Sequence, residues 1–131
     1  MGDADNQRLV REIYADWERG DFTRTDWAHP EIEVVSPLPH TAPTHGLEGM
    51  RRMWADWLSG WRDFSVEAVE LVQRGDCVLV LSRFEGAGRE SGISAQWLPG
   101  AALFTIRGGV VVRLALFSGR DAAMADLEAQ T

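Results

Sequence analysis

The chain contains no lysine; all 13 of its basic residues are arginine. Schiff-base chemistry on a lysine amine is therefore excluded. Cys77 is the only cysteine, which rules out an internal disulfide, a CxxC redox pair and a thiolate zinc site. It stands just before Val78-Leu79-Val80-Leu81 and reads as a small strand residue, not a nucleophile. Long apolar runs are missing too. The longest are strand-length and broken by charges, so no membrane-spanning helix is expected. No basic stripe offsets the formal charge of −7, and a phosphate backbone would be repelled, so nucleic acid is not an expected partner. The start, MGDADNQRLV, is acidic and lacks the apolar core of a secretory signal, which implies a cytoplasmic location. Repeats, linkers and low-complexity tracts are absent, and 45% of the 131 residues are hydrophobic. One folded domain over residues 1–131 is expected, with enough core to need no metal or disulfide.

What is present is an order of patterns, helices first and strands second. Leu9, Val10, Ile13, Tyr14 and Trp17 share one helix face. Asp3 or Asp5 suits its start and Gly20 its stop. Asp21 is placed to open a short second helix through Trp27, ended by His29-Pro30. Glu31 to Ser36 alternates like a half-buried strand. Three prolines between Pro37 and Pro43 make a stiff loop. A third helix begins near Leu47, with Met50, Met53, Trp54, Trp57, Leu58 and Trp61 on its apolar side. Strands are predicted over Phe64–Arg74, Cys77–Ala87, Ile93–Arg107 and Val110–Phe117, with turns at Gly75-Asp76 and Gly108-Gly109 and a bulge at Pro99-Gly100. A short terminal helix runs to Glu128. The class is α+β: a curved antiparallel sheet with helices against one face, a shape that can enclose a pocket.

Taking Gly108 and Gly109 as the turn sets a register in which Phe104 opposes Arg113 and Ala102 opposes Ala115. One face then carries Ala102, Phe104, Ile106, Val111, Arg113, Ala115 and Phe117. The other carries Leu103, Thr105, Val112, Leu114 and Leu116. Both are apolar, and helices cover only one. The simplest cover for the other is a second copy, which predicts a homodimer through the sheet.

The candidate chemistry is sparse. Arg83 and Glu85 lie two apart on a strand and share a face, as a buried acid beside a guanidinium or as a solvated ion pair. Arg113 can anchor a ligand oxygen or pair with an acid at the rim. His40 and His45 flank the proline-rich loop and can move protons, and His45 can equally cap a helix start. No third ligand joins His45 and Glu48, so no metal is expected. Six tryptophans is a high count. Trp17, Trp54, Trp57, Trp61 and Trp97 can border one interior, where small Ala102 and Ala115 leave room for a flat apolar molecule and Tyr14 offers a phenol.

Three segments carry a resemblance that spans nearly the whole chain: Glu18-Arg19-Gly20-Asp21, Thr44-His45-Gly46-Leu47-Glu48-Gly49-Met50, and the run from Phe104 through Gly108-Gly109 to Leu114. With them the sequence resembles the nuclear transport factor 2-like superfamily, in its SnoaL-like branch. The resemblance implies a cone formed by a bent sheet, with three N-terminal helices on its concave face, a short C-terminal helix, an apolar cavity and a dimer. It covers ketosteroid isomerases, polyketide cyclases, limonene epoxide hydrolases, dehydratases and non-enzymatic binders, so it does not select a reaction. The isomerase base position falls at Ser36, its protonated aspartate at Ala102, and its tyrosine at Ile13, one residue from Tyr14. The epoxide hydrolase Arg-x-Asp resembles Arg83-Phe84-Glu85, and its second aspartate falls at Ala115. Cyclases of this type use aspartate and histidine, yet Ile93 to Phe117 holds no acid. The expectation is a pocket for a small apolar or polyketide-like molecule. Its function is either cofactor-free cyclase, isomerase, dehydratase or hydrolase chemistry at Glu85, His40 and His45, or binding without catalysis. Tyr14, Trp17, Trp54, Trp57, Trp61, Arg83, Trp97, Ala102, Phe104, Arg113, Ala115 and Phe117 would contact the ligand.

Overall fold

A computed structural model describes residues 2–36, 42–88, 92 and 94–131, with side chains for all of these except 94–98. The elements are α1 (Asp3–Glu18), β1 (Ala28–Val35), β2 (Thr44–His45), α2 (Gly46–Ser59), β3 (Trp61–Arg74), β4 (Cys77–Gly88), β5 (Ser94–Arg107), β6 (Val110–Phe117) and α3 (Arg120–Gln130). Six strands form one sheet in the order β2-β1-β6-β5-β4-β3. Helices α1 and α2 pack on one face, and α3 on the other.

The sheet is mixed, which corrects the purely antiparallel expectation. β1 lies parallel to β6, with Glu33, Val34 and Val35 beside Arg113, Leu114 and Ala115. A parallel pair needs a long crossover, and everything from β2 to β5 supplies it. The other pairings are antiparallel.

The short helix expected from Asp21 to Trp27 is not formed. Asp21 turns its carboxylate onto the Thr23 backbone N–H at 3.0 Å and the Thr23 hydroxyl at 2.6 Å. That local turn competes with a helix start. The buried Asp16 carboxylate then draws the segment onto α1, accepting bonds from Arg19 and, at 3.0 Å, from Arg24. Trp27 is fixed at both ends: its indole N–H donates to the Arg24 carbonyl, and its own carbonyl accepts from Val111 N–H.

The β5–β6 hairpin departs from the expected register. Arg107 opposes Val110 and Ile106 opposes Val111, as the glycine turn requires. Beyond them Val112 is an extra residue, so Thr105 opposes Arg113, Phe104 opposes Leu114, Leu103 opposes Ala115 and Ala102 opposes Leu116. A one-residue slip turns every later side chain to the other face. Leu114 and Leu116 thus join Ala102 and Phe104 under α1 and α2, while Arg113, Ala115 and Phe117 fall with Ala101 and Leu103 on the α3 side. The bulge expected at Pro99-Gly100 stands nearer the strand start: Leu98 opposes Phe84 and Ala95 opposes Gly86. A further bulge at Val69 in β3 leaves that valine 62% exposed.

Two apolar layers therefore sandwich the sheet. Val10, Ile13, Met50, Val80, Phe104 and Leu114 build the inner one. Leu79, Leu103 and Ala115, all fully buried, meet Ala123 and Leu127 of α3 in the outer one. The terminal helix thus covers much of the face for which a second copy was invoked. Arg113 locks the arrangement: it reaches Glu33 of β1 at 3.2 Å and Asp126 of α3 at 2.9 Å.

Candidate functional site

Between the inner helices and the sheet lies a cavity of about 430 Å³ that opens to solvent. The volume falls within the range of small-molecule sites, roughly 300–1,000 Å³. α1 contributes Tyr14 and Trp17, and α2 contributes Met53, Trp54 and Trp57. Trp61, Phe64 and Val66 line it from β3, Ser82 and Phe84 from β4, and Leu116 from β6. The β5 stretch Gly100-Ala101-Ala102 keeps the opposing wall short. A Cβ on Gly100 would already stand 3.3 Å from the Ser82 hydroxyl oxygen.

The lining is a continuous aromatic assembly. Trp17 meets Tyr14 at 4.9 Å and Trp54 at 5.0 Å between ring centroids, both edge-on. Trp57 and Trp61 are 5.5 Å apart, and Trp61 stands edge-on to Phe84 at 5.8 Å. Edge-on and tilted pairs satisfy the ring quadrupoles, so the wall is held by contacts among its own members.

The polar groups inside are hydroxyls. The buried Tyr14 phenol hydrogen-bonds Ser82, and burial pushes its ionisation well above the ordinary range. It stays neutral at physiological pH and can donate or accept. Ser36, Thr44 and Ser118 also border the space. Among the described residues Asp56, exposed at the rim, is the only acid lining the cavity, and no arginine or histidine does so.

The structure divides the expected residues sharply. Tyr14, Trp17, Trp54, Trp57, Trp61 and Ala102 border the cavity, and Phe117, packed against the outer cluster, reaches its edge at the end of β6. Phe104 is fully buried beneath it, packed on Tyr14 and Trp17 at 6.0 and 6.1 Å. Arg83 and Glu85 lie on the side of β4 opposite Ser82 and Phe84, so Phe84 points inward in place of the charged pair. Arg83 instead bonds Glu67 at 3.1 Å on the exposed surface. Arg113 and Ala115 are carried away by the Val112 bulge, and Ala115 meets α3. The expected convergence of Ala102 and Ala115 on one spot is lost: they occupy opposite faces. His45 is also outside, 70% exposed and 3.7 Å from Glu33 on the same outer side. Its ring does not cap α2. His40 lies outside the described residues, as does the side chain of Trp97. Cys77 is buried on the outer side, 3.7 Å from the Thr105 hydroxyl.

Phe22, Phe64, Phe84, Ser82 and Gly100 were missed. Phe22 was assigned to a helix that does not form. Phe84 and Ser82 sit on a strand whose two faces were equally apolar in sequence. Only Gly100, a glycine inside a strand, carried a signal of close approach.

A mixed sheet with an aromatic hollow under two helices defines a class of small α+β containers. The profile of the SnoaL-like domain matches residues 10–114, and the chain belongs to that family. Comparison with curated proteins gave no match. Among solved structures, a protein from Jannaschia sp. CCS1 provisionally described as a SnoaL-like polyketide cyclase is 21% identical. The match covers 97% of this chain and 92% of that one, with a TM-score of 0.78. TerC, co-crystallised with polyporic acid, is 21% identical over 94% of this chain and 97% of its own, with a TM-score of 0.75. AclR from Streptomyces galilaeus, provisionally a hydroxylase, is 16% identical over 97% and 87%, with a TM-score of 0.73. At these identities the likeness is one of fold. No helix among the described residues is long and apolar enough to cross a membrane.

Proposed function

We propose that this protein binds a small, flat, largely apolar molecule of polyketide-like character in the aromatic cavity. The supporting observation is the 430 Å³ hollow whose wall is built from Trp17, Trp54, Trp57, Trp61, Phe64 and Phe84, with the Tyr14–Ser82 pair as its inner polar point. Rings stack on such walls, and one phenol fixes the orientation of a carbonyl or hydroxyl group. A fold neighbour crystallised with polyporic acid is in keeping with a ring-bearing ligand. Binding without turnover is favoured over catalysis. Among the described residues, the cavity holds hydroxyls and one exposed carboxylate, with no imidazole, and none of Glu85, Arg83 or His45 reaches it. General acid–base work needs a group whose ionisation lies near the working pH, and the Tyr14 phenol is displaced away from it.

The test is a titration with a neutral anthraquinone, read by quenching of tryptophan emission and by thermal shift. Saturable quenching with a raised melting temperature, and recovery of the compound unchanged, is the expected result. Conversion of the compound would replace the binding reading with a cofactor-free cyclase, isomerase or dehydratase. Absence of both signals across anthraquinones, steroids and terpenoid epoxides would end the proposal.

A further inference from the structure

The charge arrangement around the cavity says which ligands it selects. Asp56 projects from α2 one residue before Trp57 and borders the hollow at its solvent edge. Its carboxylate forms no ion pair among the described residues; its backbone carbonyl accepts from the Ser59 hydroxyl at 2.8 Å. The remaining described lining is uncharged, and no cation shares it. The chain as a whole carries −7, which favours approach of a cation over an anion on average. Trp57 and Trp61 line the same cavity, and indole faces attract a cation.

We infer that the cavity prefers a flat aromatic molecule carrying an amine, with the rings inside and the ammonium at Asp56, over the neutral or anionic form of the same skeleton. The inference rests on the binding reading above and deepens it. Because Asp56 is exposed, the preference is modest: an exposed ion pair corresponds to about two- to five-fold in affinity. It weakens as salt screens the charges.

The experiment uses three probes of one skeleton: anthracene-9-methylamine, anthracene-9-methanol and anthracene-9-carboxylate. Each is titrated at pH 7 by tryptophan quenching, in low salt and in 0.5 M salt (about a 4 Å screening length). The amine is expected to bind about two- to five-fold more tightly than the alcohol, and the carboxylate more weakly than either. Asp56→Asn and high salt should each bring the amine-to-alcohol ratio to about one. An amine that binds no more tightly than the alcohol, or a ratio unmoved by Asp56→Asn, overturns the inference while leaving the binding reading standing. Failure of all three probes removes both.

Discussion

Gly86 and Trp61 are in such close approach that a Cβ added to the glycine would stand 2.9 Å from the indole ring and 3.3 Å from the Arg62 carbonyl oxygen. The glycine lies where β4 passes the start of β3, beside the bulge at which Phe64 joins the cavity wall. The backbone oxygen cannot retreat, so the ring must.

Gly86→Ala should therefore displace Trp61 from the wall it shares with Trp57 and Phe84. Overpacking of this kind costs about 1–3 kcal/mol. The check is a urea melt together with tryptophan emission: a lower midpoint and an altered folded-state spectrum are expected. Gly75→Ala serves as a contrast, because Gly75 has nothing within 4 Å and its penalty comes only from its positive φ of 55°.

Alkaline stability should report on Tyr14. The folded phenol is raised above the unfolded value of 10.0, chiefly by burial. Above pH 10 the unfolded chain releases this proton while the folded chain keeps it, so the unfolded state binds fewer protons and stability falls as pH rises. Below pH 10 the contribution is fully present. The chain has a single tyrosine and no lysine, so comparison with Tyr14→Phe isolates the share of this phenol. Wild type should lose up to about 1.4 kcal/mol per pH unit from this group above pH 10, and Tyr14→Phe should lack that slope. Tyrosinate absorbance at 295 nm should appear only with unfolding.

Arg113 and Arg83 offer a test of location. Arg113 is 19% exposed and holds three elements together; Arg83 is 46% exposed and pairs within one hairpin. Arg113→Ala should cost about 1.5–3 kcal/mol, because it strips a charge-assisted hydrogen bond to Asp126 and an ion pair with Glu33, and leaves Asp126 partly buried without its cation. Arg83→Ala should cost about 0–1 kcal/mol. Equal losses in denaturant melts would contradict the placement of Arg113 under α3.

These residues also show what the sequence revealed and where it fell short. The helix faces of α1 and α2 follow from 3.6-residue spacing, and the hairpin turn at Gly108-Gly109 from its two glycines with positive φ. Trp17, Trp54 and Trp57 of the cavity lie on those helices and were legible with them, whereas Trp61, expected on the apolar side of the third helix, opens β3. The bulge at Val112 had no such mark. It lies in a run of three valines, where either face is equally apolar, and sheet register is fixed by packing against distant elements. Arg113 and Ala115 were misplaced for that reason alone. On β4 the same ambiguity put Arg83 and Glu85 in contention with Ser82 and Phe84. The parallel β1–β6 pairing joins residues some eighty positions apart and leaves no local trace.

Leu127 carries the remaining prediction. It is fully buried between α3 and the outer side of the sheet, against a cluster that includes Leu79, Leu103 and Ala115. Leu127→Ala should cost about 2–5 kcal/mol, as large-to-small changes in a closed core do. The cost should depend on Arg113, since Asp126 and Leu127 hold the same helix; in the double variant the two losses should not add. Loosening α3 also uncovers an apolar face, and exposed apolar patches associate. Light scattering across protein concentration should therefore show more self-association for Leu127→Ala than for wild type. A variant that melts earlier without associating more would mean that α3 stabilises the sheet without shielding it.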